Sequence, residues 1–386
     1  MNLIIFGAQG YALGAYQAIS NLYPNRAIPC FIVSKMGNNA STLGGIPVRE
    51  IGSVSDSMTA VEKNDTSILI STPENIQPEI EETLEAYGFH NFTRLTSERW
   101  NELMKLYHSK IGSFLPLSAL PVGSSNPFIR IYMAKSHVDR PLRKTIDSPD
   151  YVFPIQVGAD KAASRIADIV DNTGENISDR NGNYSELTGL YWLWKNKLCA
   201  SPPCPTLEPD GTDEGDKKSS REAYYGFGQY RRMLEFSQDD LLRLVENDVD
   251  AVLPYPMPYE PNIHAHHERY IKPSDWEALL KALEELQPEY RSCFDDVLNQ
   301  SFLYNYNVIL AKKSVLCDYC SWLFPILMRL EELTDGANRS ERYIGYMAET
   351  LETLYFMKNS DKFSDKFSDR FGGKLNIVHT LCRLYV

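Results

Sequence analysis

DNTGENISDRNGNYSELTGLYWLWKN, residues 171–196, is the stretch from which the rest of the chain is read. Its second half places Leu187, Leu190, Tyr191 and Trp194 at the i, i+3, i+4, i+7 spacing of one helix face. Ser185 is the expected N-cap, and Glu186 suits the first turn, where a carboxylate meets the positive end of the helix dipole. Asn176 and Ser178 can cap the segment after them. Packing accounts for the Trp and Leu residues but not for the polar loop before them. A loop of Asp, Asn, Thr, Gly and Glu held by a rigid helix is the usual build of a ligand site.

A second stretch, Tyr224-Tyr-Gly-Phe-Gly-Gln-Tyr-Arg-Arg232, points the same way. Its aromatic first half predicts a buried strand, with close backbone approach at the glycines. It ends in Arg231 and Arg232. A guanidinium is a planar fork of donors that fits phosphate, so two of them at a strand end suggest a grip on a diphosphate.

At 386 residues the chain has room for two domains with full cores. A net charge of −12 argues against nucleic acid as a partner, because that partner needs a basic surface. No apolar run approaches the roughly 18 residues of a spanning helix. MNLIIFGAQG has no basic n-region, so no signal peptide is expected. The seven cysteines are scattered, and Cys317-Asp-Tyr-Cys320 has no second pair nearby, so free thiols and a cytoplasmic protein are expected.

Residues 1–112 alternate short apolar strands (Leu3–Phe6, Phe31–Val33, Ser67–Ile70) with helices, which predicts a small parallel Rossmann-like sheet. Its first turn carries glycines at 7, 10 and 14 rather than GxGxxG, and no acidic ribose partner follows the second strand. Residues 113–127, rich in Pro, Ser and Gly, read as a linker, and residues 128–386 as a second α/β domain. There a strand over 128–133 leads into Ala134 and Lys135, and another over 151–157 leads into Gly158. Residues 199–222 read as a loop, either a lid or a surface insertion. Asp248-Val-Asp250 has metal-binding spacing but precedes a strand, so it reads first as a turn. His264, His266 and His267 read as a loop that meets substrate. Tyr304–Leu310 reads as a strand, with long helices over about 314–333 and 341–357. The repeat SDKFSDKFSDRF (360–371) reads as a helix with a Phe stripe, lying on its own domain or on a membrane interface.

Two resemblances sharpen this reading. The order of signals in the first domain, including Gly45-Ile-Pro-Val48 and Gly88-Phe89, resembles the N-terminal domain of sugar O- and N-acyltransferases of the PglD type. Residues 128–358 resemble a bacterial polysaccharide glycosyltransferase family formerly called a domain of unknown function. The run is PIQVGA (154–159), DNTGENIS (171–178), YSELTGLYWLWKN (184–196), YRR (230–232), YN (306–307), WLFPIL (322–327) and RxxGYxAE (342–349). This implies an α/β fold: a Rossmann-like domain followed by a GT-A-like glycosyltransferase domain with a helical C-terminal part. It implies inverting transfer of galactofuranose from UDP-galactofuranose in capsule, O-antigen or exopolysaccharide synthesis. Gln229 stands where the family usually has His, which leaves the sugar open. The rivals are transfer of another activated sugar and a non-catalytic protein that senses nucleotide sugars.

Inverting transfer needs a base for the acceptor hydroxyl and positive charge for the departing diphosphate. Glu186, Glu349 and His267 are the candidate bases, and Arg231 and Arg232 the candidate charges, with or without magnesium or manganese. No residue is assigned to a metal. Asp171 and Asn172 are assigned to the donor, together with Ala134, Lys135, Gln156, Gly158, Tyr230 and Asn307. The implied partners are a UDP-sugar, a lipid-linked or oligosaccharide acceptor and other assembly enzymes. Peripheral contact with the inner face of the plasma membrane would follow.

Overall fold

The computed structural model describes residues 3–112, 114–142, 148–199, 222–336, 339–360 and 374–385. The 360–371 repeat beyond Ser360 and the interior of the 199–222 loop lie outside the described residues.

The first unit is built on β1 (Leu3–Phe6), α1 (Gly10–Leu22), β2 (Phe31–Val33), β3 (Thr42–Leu43), β4 (Ile46–Glu50), α2 (Ile51–Asp56), α3 (Ala60–Asp65), β5 (Ser67–Ile70), α4 (Gln77–Ala86), β6 (Phe92–Arg94) and α5 (Ser97–Ile111). Its sheet order is β3-β4-β2-β1-β5-β6, parallel except where β3 folds back on β4. All four residues of β1 are buried, as expected of a central parallel strand covered on both faces.

The second sheet uses β7 (Phe128–Lys135), β8 (Val152–Gln156), β9 (Ile169–Val170), β10 (Ala223–Gln229), β11 (Arg232–Leu234), β12 (Ala251–Pro254), β15 (Ile309–Lys312), β16 (Ile377–Thr380) and β17 (Cys382–Leu384). The strands β13 (Met257–Pro258) and β14 (Phe302–Leu303) form a separate ribbon. The main path is β16-β12-β15-β10-β7-β8-β9, with β11 and β17 joined to it through β10. Strands β10, β7, β8 and β9 run parallel, while β15 is antiparallel to both its neighbours. Helices α6 (Asn181–Tyr184), α7 (Leu187–Leu193), α8 (Gln238–Glu246), α9 (Ile263–His267), α10 (Pro273–Leu286), α11 (Pro288–Asn299), α12 (Lys313–Leu333) and α13 (Tyr343–Asn359) complete the unit. Nearly every side chain of α13 is buried, so it is a core helix rather than a surface one.

Several expectations change. The helix over 184–195 is interrupted: Ser185 sits at φ 51° between α6 and α7, offers no side-chain cap, and Trp194–Leu198 closes in a π-turn. Of the strand expected at 304–310 only Ile309 and Leu310 are in a strand, which runs on to Lys312. The three histidines lie on the short helix α9, not on a loop. Cys199 and Cys317 form a disulfide with Cα atoms 6.5 Å apart, which replaces two of the expected free thiols. Packing of the π-turn against the start of α12 brings these distant positions together.

The stretch read as a linker is embedded in the second unit. Phe114 and Leu117 are buried in its cores. Leu115 O accepts from His379 N at 2.8 Å, and Leu120 O from Arg243 Nε at 2.8 Å. The first unit is docked as well: Gly44 N donates to Glu260 at 2.6 Å, Arg269 to Gln9 at 3.1 Å, and Ser97 Oγ to Leu384 O at 3.2 Å.

The glycine-rich turn explains itself at this seam. A Cβ on Gly10 would lie 3.3 Å from Met257 Cε and Pro258 O, and one on Gly14 would lie 2.5 Å from the Trp100 ring. The 257–259 segment therefore packs directly on Gly10, and Pro258 also meets Gly14. Gly14→Ala should therefore destabilise the protein by about 1–3 kcal/mol through overpacking. Thermal unfolding is the check, and an unchanged midpoint would contradict this account of the glycines.

Candidate active site

The strand order turns at β7, with β8 on one side and β10 on the other, and such a switch point opens a crevice at the carboxyl ends of the strands. The two ends are tied together: Ala134 pairs with Gln229, and Tyr230 N donates to Ala134 O at 2.9 Å. Lys135 ends β7, and Asp139 follows, accepting from Ser136 N at 2.7 Å. Burial pushes the Asp139 carboxyl up, against the pull of Arg231, Arg342 and Lys135. Three cations thus act electrostatically on one carboxylate near the carboxyl ends of β7 and β10.

Near these strand ends the chain makes a turn over residues 304–308 that binds two carboxylates. Tyr306 and Asn307 stand at φ 79° and 51°. Asn307 Nδ2 donates to Glu186 Oε1 at 2.9 Å, and Tyr306 N donates to Glu349 Oε1 at 3.0 Å. One left-handed turn therefore orients both carboxylates. Gln229 Nε2 holds the turn from β10, donating to Tyr306 O at 2.8 Å, and the Arg232 guanidinium lies 3.7 Å from the Tyr306 ring centre. Among the described residues, six non-glycine positions have positive φ, and four of them (Ser185, Tyr306, Asn307, Arg342) belong to this neighbourhood. Strain of this kind costs about 1–3 kcal/mol per residue and persists where surrounding structure enforces it, often at functional sites.

Glu186 and Glu349 are half-buried. Burial pushes the Glu186 carboxyl up, while its bond from Asn307 and the charges of Arg342 and Arg232 pull it down. Burial pushes Glu349 up to about 8, and the adjacent Glu186 adds to the rise. Two carboxyl groups held by one turn, one of them keeping its proton at neutral pH, suit acid–base chemistry.

The other sequence candidates are placed differently. Asp171 is fully buried and accepts from Gly158 N, Ala159 N and the Ser178 hydroxyl, so both its oxygens are engaged in shaping the loop. Asn172 is exposed. Gln156 is buried and clamps residues 164–166 through both ends of its amide, and Ala134 offers the cleft only backbone. Much of the polarity in the 171–196 stretch is likewise internal: Trp192 donates to Thr173 at 2.9 Å, and Asn196 exchanges bonds with the Glu175 backbone. His267 is buried beside Trp276, shares a hydrogen bond with Thr350 at 3.0 Å, and is pushed by burial down to about 3. It is a neutral core residue. Arg342, Asp139, Asn305 and Tyr306 belong to the cleft without having been singled out, although Arg342 and Tyr306 fall inside quoted motifs. Tyr11 reaches it from the first unit, its buried phenol sensing the charge of Arg232.

Asp248 and Asp250 sit at the opposite end of the strands, where Lys312 pairs with the start of β10. Both bind Lys312, Asp250 at 2.9 Å, and Asp250 also accepts from Asn376 N at 2.8 Å. Asp250→Ala should lower stability by about 1–3 kcal/mol, since it strips a mostly buried lysine of its inner partner. Turnover and its response to added magnesium or manganese should not change; a lost metal response would show that this pair serves catalysis. No group of three or more His, Cys, Asp or Glu side chains is gathered for a metal among the described residues. Nor, among them, is any helix long and apolar enough to cross a membrane.

This α/β fold is one found in a glycosyltransferase. The chain aligns with the apo structure of the bifunctional glycosyltransferase WbbM at a TM-score of 0.51 and 24% identity, over 67% of this chain. The match spans 45% of that longer protein. The chain itself belongs to the family described as Domain of unknown function (DUF4422), whose pattern matches residues 131–201 and 216–360. No curated protein matches it.

Proposed function

We propose that the chain is a glycosyltransferase of polysaccharide assembly that passes a sugar from a UDP-sugar to a glycan hydroxyl with inversion, within a GT-A-like second domain. The observation that carries this is the Glu186–Glu349 pair, oriented by one strained turn that Gln229 ties to the carboxyl end of β10. Glu186, held by Asn307, is the general base. It takes the acceptor hydroxyl proton as that oxygen attacks the anomeric carbon. The bond from that carbon to phosphate breaks, and its electron pair leaves with UDP. Arg231, Arg342 and Lys135 meet the growing charge, displacing Asp139 from among them. A bound magnesium or manganese would add charge at the same diphosphate.

UDP-galactofuranose is the donor we favour, on the motif resemblance. Gln229 holds the catalytic turn where the family usually has His, so a pyranose or amino-sugar donor is the second reading. A non-catalytic role in sensing nucleotide sugars is the remaining reading, and a UDP-sugar panel separates it by the absence of turnover. Such a transferase would work at the inner face of the plasma membrane, on a lipid-linked or oligosaccharide acceptor, beside other assembly enzymes. The test is turnover of a UDP-sugar panel in which UDP release and product anomer are both read. Absence of acceptor-dependent UDP release across the panel would overturn the proposal.

A further inference from the structure

Apart from its last two residues, α13 leaves only Tyr346 and Glu349 partly open to solvent. Three residues apart, these two share one helix face. The exposed Arg342 stands one turn before Tyr346. Tyr346 thus borders Glu349 on the face that solvent reaches. Tyr270, in the turn between α9 and α10, stacks on Tyr346 with centroids 5.0 Å apart and planes 25° from parallel, and it is 49% exposed.

The stack is joined to Glu349 by a second route. The His266 ring meets Tyr270 edge-on at 5.7 Å and lies on Tyr259 at 3.8 Å. The Tyr259 hydroxyl accepts from Asn305 Nδ2 at 3.0 Å, and the same amide reaches Glu349 at 3.5 Å. Both ends of this series of four rings therefore return to Glu349. Burial pushes the Tyr346 phenol up, and the charges of Glu349 and Glu186 add to the rise while Arg342 opposes it. The first unit holds the segment from outside, with Arg269 on Gln9 and Glu260 on Gly44.

A tyrosine face is apolar and carries the negative side of the ring quadrupole. It attracts the weakly positive C–H face of a sugar ring while the sugar hydroxyls stay in water. Position selects which sugar. In the proposed reaction the diphosphate belongs with Arg231, Arg342 and Lys135, and the attacking hydroxyl lies at Glu186, beside Glu349. The donor contributes a single sugar between those two. A growing glycan has to leave the centre for solvent, and Tyr270 is the half-exposed ring stacked on Tyr346. An isoprenoid chain needs a continuous apolar wall, whereas the exposed Glu268, Arg269 and Arg342 stand close to these rings in the chain.

We infer that the open side of the Tyr270–Tyr346 stack binds a sugar ring, and, resting on the transferase reading, that this ring belongs to the acceptor glycan.

The test uses the full chain and saturation-transfer NMR. The probes are methyl glycosides of hexopyranoses, 6-deoxyhexoses, N-acetylhexosamines and hexofuranoses, with uridine and farnesol for contrast. At least one glycoside should bind saturably below about 50 mM, and UDP should not displace it. Tyr270→Ala should weaken that binding about tenfold or more and leave UDP affinity by calorimetry unchanged, whereas Tyr270→Phe should retain it. In transfer assays Tyr270→Ala should raise the acceptor KM about tenfold or more with the donor KM unchanged. Absence of saturable glycoside binding, undiminished binding in Tyr270→Ala, a loss confined to uridine or farnesol, or a rise in the donor KM instead would each overturn the inference. Glycoside binding that Tyr270→Ala removes, without turnover of any UDP-sugar, would leave the platform standing and remove the transferase reading.

Discussion

Glu186→Gln should lower transfer by about a thousandfold or more at neutral pH, with UDP affinity close to that of the wild type. General-base catalysis contributes about 10²–10⁴ in rate, and the amide keeps the volume and the bond from Asn307 while losing the proton acceptor. A thousandfold corresponds to about 4 kcal/mol of transition-state stabilisation. Glu349→Gln should be much milder, because glutamine imitates the protonated acid that Glu349 is near pH 7. If Glu349→Gln is inactive while Glu186→Gln turns over, the two roles are reversed.

The pH dependence of the pair comes from the same geometry. Glu349 holds its proton up to about pH 8, and above that a negative charge appears beside Glu186. That charge opposes an anionic donor, so kcat/KM should fall through about pH 8, and Glu349→Gln should remove the falling limb. Stability carries its own signature. The Glu349 carboxyl titrates at about 8 folded and near its ordinary value of 4.5 unfolded, so the unfolded chain releases its proton first. Wild-type stability should therefore fall as pH rises from about 4.5 to about 8, by at most about 1.4 kcal/mol per pH unit from this group. Glu349→Gln should flatten that decline. An equally steep decline in the variant would show that the carboxyl is not held protonated.

Much of this architecture was legible because its strands are short apolar runs separated by helices, the pattern a parallel sheet imposes. Features set by tertiary contact were not. Tyr-Asn-Tyr-Asn at 304–307 alternates as a strand would, yet Asn tolerates left-handed backbone, and Gln229 and Arg232 lock the turn in that form. The break at Ser185 leaves no mark on the hydrophobic spacing of 187–194. Pro and Ser made 113–127 look like a linker, although Phe114 and Leu117 supply buried apolar surface to the second unit. Glu186 and Glu349 could be named as candidates from motifs, whereas the Asn307 and Tyr306 bonds that pair them depend on a fold spanning some 160 residues of chain. Glycines at 10 and 14 suggested a damaged phosphate turn, and their actual neighbours are Pro258 and Trp100.

Arg231→Ala and Arg232→Ala should both be severe, for different reasons. The two side chains are adjacent in sequence but divided between separate surroundings. Arg231 lies over the Tyr230 ring, reaches Arg140 O at 3.4 Å, and with Arg342 and Lys135 pulls down the Asp139 carboxyl that burial pushes up. A diphosphate entering there meets guanidinium forks, and charge-assisted bonds of that kind contribute about 1.5–3 kcal/mol each. Arg231→Ala should therefore weaken UDP binding about tenfold or more and lower kcat/KM by about 10²–10³. Arg232 turns inward onto Tyr306 and faces Tyr11 of the first unit. Its loss should leave UDP binding largely intact and lower kcat, because the turn that aims Asn307 and the Tyr306 amide is freed. Its positive charge also pulls the Glu349 carboxyl down, so Arg232→Ala should move the falling limb of the pH profile above about 8. UDP calorimetry and pH profiles on both variants separate these roles. Equal loss of UDP affinity in the two would mean that both arginines grip the diphosphate and that Arg232 is not the support of the catalytic turn.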